Sequence, residues 1–248
     1  MINKILILCS LFSFAYSITG IELAKLMDKR KNPLDMKSTI NMEIKNKKGR
    51  IRTSSIKSIS KNNKKKQILW FTKPADDKGV AFLKIEHENK NDEMRLWLPA
   101  FKRTRRISSK KKSESFMGSD MSYEDMTNRN ISEYKYKIIG EEKIDTTDCY
   151  ILESIPTKQS EYSKHITWVT KKTTLPIKEH SFDKNNIHLK NKYITYMKIG
   201  GYYIATKLHV ENIIKNHQTT LNITNIIVDS NVQDNVFQEK NLKRINFK

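Results

Sequence analysis

Along most of its length the sequence alternates apolar and polar residues in short runs broken by turn signals, and this two-residue period constrains the fold more than any other feature. Met36, Ile40, Met42 and Ile44 share one parity, and Lys37, Thr39, Asn41 and Glu43 the other, the pattern of a strand with one buried face. Asn46 to Gly49 reads as a turn into a more polar strand from Ile51 to Ile59. After the polar turn at Asn62 to Lys66, a continuous apolar run, Ile68 to Phe71, ends at Pro74. Asp76, Asp77 and Gly79 turn the chain into Val80 to Ile85, and Asn89 to Glu93 returns it to a strand beginning at Met94. Further strands are expected over 134–139, 150–155, 165–170, 175–182, 187–199, 202–211 and 221–227, with Gly200 and Gly201 in a tight turn. Val236 to Leu242 reads as a helical turn or an edge strand.

About ten short antiparallel strands and two or three helices describe a mainly β (α+β) fold, a curved sheet or incomplete barrel. The apolar face of such a sheet must be covered. Two short helices cover little, so the sheet either curls on itself or leaves a cavity that something else fills. The first helix is signalled by a capping box, Thr19 with Glu22, by Ile18 and Leu23 placed for a hydrophobic staple, and by the stripe Leu23, Leu26 and Met27. It should stop before Pro33.

The densest information lies in residues 94–126. Met94, Leu96 and Leu98 alternate with Arg95 and Trp97, and Pro99 ends the strand because proline cannot donate to a central ladder. Beyond Ala100 and Phe101, seven cations fall within eleven positions: Lys102, Arg103, Arg105, Arg106, Lys110, Lys111 and Lys112. Phe116, Met117 and Gly118 then lead through Ser119 and Asp120 to a second capping box, Ser122 with Asp125, which Met121 and Met126 are placed to staple, so a short helix is expected over 122–128. A basic rim beside an apolar flap suits an amphiphile with an anionic head and an acyl tail. The same residues also describe a charged hairpin followed by an ordinary surface helix.

Apolar residues at 37% and charged residues at 30% mark a globular chain, and with no long linker it is read as one domain over 18–248. The net charge of +20 favours polyanionic partners. Lysine, asparagine and isoleucine are used heavily throughout, so only local clusters of charge carry information. At the N-terminus, Met1 to Lys4 form a short basic region, Ile5 to Phe14 an apolar core, and Ala15, Tyr16 and Ser17 a small-x-small cleavage site. Residues 1–17 therefore read as a secretory signal peptide, with an uncleaved anchor as the alternative. Cys9 leaves with the peptide, so Cys149 stands alone and no internal disulfide is expected. No other segment is apolar enough to span a bilayer. The mature chain is expected to be soluble and exported, which removes nucleic acid as the usual partner of a basic run.

Motifs of catalysis are missing. There is no GxSxG elbow, Walker loop, GxGxxG or HExxH. Ser119 and Asp120 have no histidine locally tied to them, and Asp120 is read as ordering its loop. The six histidines fall singly on strands or strand ends and read as solvated, with His180 and His188 placed to meet across one hairpin. Cys149 reads as a small buried apolar residue, and Glu124, Asp125, Glu141 and Glu142 as solvated or capping residues. Met36, Met42, Met94, Met117, Met121, Met126 and Met197 fall on apolar faces or in the flap. No metal, cofactor or catalytic residue is expected.

The stretch WLPAFKRTRRISS followed by SFMGSDMSYEDM resembles the signature of the outer-membrane lipoprotein-sorting protein family, relatives of the periplasmic carrier LolA. The matching positions are Trp97, Leu98, Pro99, Ala100, Arg105, Arg106, Phe116, Gly118, Ser119, Asp120 and Asp125. The resemblance implies an antiparallel half-barrel with helices across its mouth, and a periplasmic activity of carrying lipid or lipoprotein without chemistry. It is closer to the sorting-protein-like branch than to the housekeeping carrier. It further implies an inner-membrane transporter and an outer-membrane acceptor as partners of a monomer. On that expectation Lys102, Arg103, Arg105 and Arg106 receive an anionic head, and Leu96, Trp97, Leu98, Phe101, Phe116, Met117, Met121 and Met126 line the cavity or flap. Pro99, Gly118, Ser119, Asp120 and Asp125 shape the motif. The rival reading is an exported module whose basic patch docks on anionic lipid or glycolipid without taking up a chain.

Overall fold

A computed structural model describes residues 18–88 and 90–245; the expected signal peptide lies outside the described residues. One α-helix, α1 (Gly20–Asp28), is followed by thirteen strands. The first six are β1 (Asp35–Lys45), β2 (Ile51–Lys61), β3 (Lys66–Lys73), β4 (Ala81–Ile85), β5 (Glu93–Leu98) and β6 (Arg103–Arg106). The long segment 107–133, called the flap below, separates them from the other seven. These are β7 (Tyr134–Ile144), β8 (Thr147–Pro156), β9 (Tyr162–Thr170), β10 (Pro176–Asp183), β11 (His188–Ile199), β12 (Tyr202–Asn212) and β13 (His217–Val228).

All thirteen lie in one antiparallel sheet of order β6-β5-β4-β3-β2-β1-β13-β12-β11-β10-β9-β8-β7. Its two edges, β6 and β7, do not pair with each other, so the sheet stays open rather than closing into a barrel. The expectation of a mainly β, curved antiparallel sheet forming an incomplete barrel holds. The sequence reading missed β6, because Arg103, Thr104, Arg105 and Arg106 carry no apolar alternation. It pairs with β5 as an exposed edge, where cations discourage further pairing.

Helix α1 begins as its sequence signals. Thr19 accepts from the Glu22 amide, and the Glu22 carboxylate accepts from the Thr19 amide at 2.8 Å. Leu23 is buried with Leu152 and Val169, with Ile18 and Met27 packed beside them, whereas Leu26 points outward and is exposed. Gly20 permits the seating of α1 on β7: a Cβ there would lie 2.7 Å from the backbone of Tyr136 and Lys137.

The expected helix over 122–128 is one 3₁₀ turn, Glu124–Met126. Its capping exchange is present, Ser122 and Asp125 each accepting from the other's amide. The turn goes no further because Thr127 is extended and the Asn128 side chain bonds to Asn63 and Glu86 instead of prolonging the helix. The C-terminal segment forms two 3₁₀ turns, Asp234–Val236 and Glu239–Lys243. Val232, Phe237 and Leu242 from this segment pack on Ile59, Ile68, Trp70, Ala81 and Leu83, and the Trp70 indole donates to the Asn241 carbonyl at 3.0 Å. Strands β2–β5 are thus covered on both faces, as the unbroken run Ile68 to Phe71 requires.

Candidate functional site

Antiparallel partners project to the same face, so the register writes out the inner face, the one that α1 and the flap cover. One row is apolar: Met42, Leu221, Leu208 and Ile194, paired in turn across β1, β13, β12 and β11. The next is mixed, running Ile44, Thr219, Val210, Lys192, Glu179, Thr167 and Leu152. A third is wholly polar: His217, Asn212, Lys190, Ser181, His165 and Ser154. The inner face therefore changes from greasy to polar across its width.

The flap matches this division. Its apolar residues Ile107, Phe116, Met121 and Tyr123 are buried in the main core with Met42, Phe71, Phe82, Met94 and Leu96, and Leu98, Met117 and Met126 pack against them. Phe116 meets Phe82 edge-on with ring centroids 5.2 Å apart. The loop that presents it is tight. Met117 and Gly118 both take positive φ, 51° and 78°, and the Ser119 hydroxyl donates to the Phe116 carbonyl at 2.6 Å. The Ser119 hydroxyl thus braces the loop.

The polar residues of the flap meet the polar rows. Asp120 accepts from Thr219 at 2.7 Å and bonds His217 at 2.8 Å. Asp125, read from sequence as a capping residue, has a side chain only 3% exposed and also accepts from Lys190 at 2.8 Å, Lys192 at 2.7 Å and the Tyr162 hydroxyl at 2.8 Å. Arg129 reaches both Glu179 oxygens, at 2.5 and 2.8 Å. At the near end, buried Lys84 donates to the Met126 carbonyl at 2.7 Å and to Glu86, which also holds the Asn128 amide.

Burial alone would raise the carboxyl of Asp125, but Lys192 and Lys190 outweigh it and hold it well below the usual carboxylate range. Glu179 follows the same pattern, burial opposed by Arg129 and then Lys192. His165, expected to be solvated, is fully buried. Burial and the Arg129 charge hold it well below an ordinary histidine. Its Nδ1 faces Arg129 and Ser181, and its Nε2 is buried with no hydrogen-bond partner.

Not every expected site residue joins this assembly. Trp97 lies in the outer cluster, its ring beneath the Lys243 ammonium at 5.0 Å. Phe101 is 67% exposed, with the Arg103 guanidinium over its ring. The basic run divides between faces. Arg105 pairs with Leu96 on the inner side and bonds Glu114 of the flap at 2.9 Å, while Arg106 pairs with Arg95 on the outer side. Lys102 is an exposed left-handed turn residue, and Pro99 opens that turn against Gly79. Met197 is exposed, unlike the other methionines of the expected apolar set. His180 and His188 do meet, with ring centroids 4.5 Å apart, and Cys149 is buried. Among the described residues no group of three or more His, Cys, Asp or Glu side chains is placed to hold a metal.

Sequence reasoning passed over Lys190, Lys192, Glu179, Arg129 and Tyr162. The one available signal was Lys190 and Lys192 two apart on a strand, hence on one face, hidden among the many lysines of the chain.

A family profile described as "Uncharacterized protein" matches residues 63–244. Among solved structures, the chain is similar to a domain from Vibrio parahaemolyticus named for outer membrane lipoprotein sorting, at 31% identity and a TM-score of 0.86, covering 91% of this chain and 98% of that one. It is similar to a DUF1329 family protein from Desulfovibrio piger at 33% identity and a TM-score of 0.84, covering 90% and 97%. A LolA superfamily protein from Nitrosomonas europaea shares the fold at 19% identity, with a TM-score of 0.73 over 91% of this chain and all of that one. No curated protein matches the chain.

Proposed function

Because this chain belongs to the LolA-like family of outer-membrane lipoprotein-sorting proteins, we propose that it is a periplasmic carrier that shelters the acyl chains of a lipid or lipoprotein and delivers them towards the outer membrane. The observation that carries this reading is the composition of the flap. It plugs the apolar side of an open sheet with Phe116, Met121 and Tyr123, and it is fastened by separate polar ties at Lys84, His217, Lys190, Lys192 and Glu179. Each tie can be exchanged for another polar partner. An acyl chain in place of the flap would gain about 0.8 kcal/mol per buried methylene, enough for one long chain to supply most of the affinity.

In this reading the protein is not an enzyme, and loading and unloading fall to an inner-membrane transporter and an outer-membrane acceptor that open the flap. Of the four expected head-group residues Lys102, Arg103, Arg105 and Arg106, Arg103 and Arg105 share the face of β6 that borders the flap and meet an anionic cargo first. Arg105 also guards closure through Glu114.

Native mass spectrometry of the mature protein taken from its own periplasm, with organic extraction, tests the proposal. A stoichiometric lipid or lipopeptide is expected. An empty protein that also fails to take up a fluorescent fatty acid would replace the carrier with a module that only docks on anionic membranes.

A further inference from the structure

We propose that Lys190, Lys192 and Tyr162 form the seat for an anionic cargo head, and that Asp125 of the flap occupies this seat as a built-in substitute while the protein is closed. The proposal rests on the carrier reading and specifies its cargo: an amphiphile with one anionic oxygen head, carboxylate or phosphate monoester.

The donors are built into the sheet, and the acceptor is not. Tyr162 lies on β9, and Lys190 and Lys192 on β11. All three donate to the Asp125 carboxylate, at 2.7 to 2.8 Å. With the flap in place the lysine side chains are only 4% and 12% exposed, so in the closed protein Asp125, and not bulk water, is the partner of both.

Opening the flap removes Asp125, Asp120 and Arg129 together. Two lysines then face a single remaining sheet carboxylate, Glu179, which already holds Lys192 at 3.1 Å. Lys190, which also loses the Asp120 carbonyl, is left without a counter-ion. Opening also uncovers the ammonium groups to water, and an anion that takes the place of Asp125 restores the charge-assisted hydrogen bonds that opening removes. Flap opening and anion binding are therefore coupled.

The surroundings fix where a tail would go. Ile194 follows Lys192 on the same face of β11 and begins the row Ile194, Leu208, Leu221 and Met42. Ile194, Leu208 and Leu221 are only half-buried in the closed protein. A head at the lysines places its chain along this row.

The test is titration of the mature protein, followed by native mass spectrometry, with palmitate, 1-palmitoyl lysophosphatidate and the neutral 1-monopalmitoylglycerol, each below its aggregation threshold. At least one anionic probe should bind roughly 10- to 100-fold tighter than the neutral one, the effect of hydrogen bonds to a charged group, and the tighter of the two identifies the head. Asp125→Asn should widen that preference, because the internal competitor loses its charge. Lys190→Met with Lys192→Met should abolish it while retaining the neutral probe. Tyr162→Phe, which leaves every buried charge in place, should weaken the anionic probe several-fold and leave the neutral one unchanged, so the proposal stays testable if the lysine variant fails to fold. Equal binding of charged and neutral probes by the wild type and Asp125→Asn overturns the seat and leaves carriage standing. A preference that survives the lysine substitutions but disappears in Arg105→Glu overturns it in favour of the basic rim. Failure of every probe to bind any of these proteins overturns the carrier reading and the seat with it.

Discussion

Asp125 on the flap and Lys192 on β11 stand 67 positions apart in sequence and 2.7 Å apart in space. The pair is buried, and with Glu179 and Arg129 it makes the closed protein a pH-dependent object. Asp125 and Glu179 have folded-state pKa values well below their ordinary 3.8 and 4.5, so in acid the unfolded chain binds more protons than the folded one. His165 acts with the same sign, since it stays neutral in the fold while the unfolded residue protonates near 6.5. Stability should be full above about pH 6.5, begin to fall as the pH drops below that, and fall more steeply below about 4.5. Urea midpoints from pH 8 to 3 check this, and a flat profile would overturn the buried ion network.

Phe116→Ala removes the aromatic anchor of the flap from between Phe82 and Tyr123. Truncating a buried aromatic costs about 3–5 kcal/mol when the site cannot collapse. Part of this loss should be local, so hydrogen exchange across 107–133 should accelerate more than in β11 to β13. Uniform acceleration would mean that the flap does not open as a unit.

Lys84→Met keeps the length of the side chain but leaves the Met126 carbonyl and the Glu86 carboxylate without their shared donor. The unsatisfied Met126 carbonyl, with Glu86 held by Asn128 alone, should cost on the order of 1–3 kcal/mol. Faster exchange of the amides at 126–128, with α1 unaffected, is the expected signature by mass spectrometry.

Gly20→Ala places a methyl group 2.7 Å from the backbone of Tyr136 and Lys137. Neither strand backbone nor helix can yield without shifting α1, and overpacking of this kind costs about 1–3 kcal/mol. Alanine would otherwise favour a helix over glycine, so a stabilised variant by thermal melting would show that α1 does not seat on β7 as described.

Much of the sheet is legible in the sequence, because a period of two survives in any strand with one covered face. Met42, Ile44, Leu208 and Val210 announce their side directly. The alternation of Leu96, Trp97 and Leu98 even separates Trp97 from its neighbours. What the residues do not announce is that Phe237 and Leu242 return to cover it, since a 3₁₀ turn leaves no periodic trace. The candidate site is harder to read for a different reason. Lys190 and Lys192 look like any solvated lysine in a chain rich in them, and only the register of β9 to β11 and the return of the flap reveal that they are buried. Asp125 shows one role in sequence, the cap, and carries two.

The placement of β1 and β13 has a kinetic consequence. The first and last of the described strands lie side by side in the middle of the sheet, locked at one end by Asp35, which accepts from Ser230, 195 positions away, and from Val232. Neither half of the sheet can be joined to the other until the chain has closed this longest of its loops. Folding should accordingly be slow, as expected of a topology dominated by non-local pairing, and a chain still being synthesised would hold two unjoined pieces of sheet until β13 is available. Assembly of the inner face is thereby tied to completion of the strand series: without β13 the flap can still cover Phe71, Phe82, Met94 and Leu96, but Lys190 and Lys192 are not joined to the same sheet.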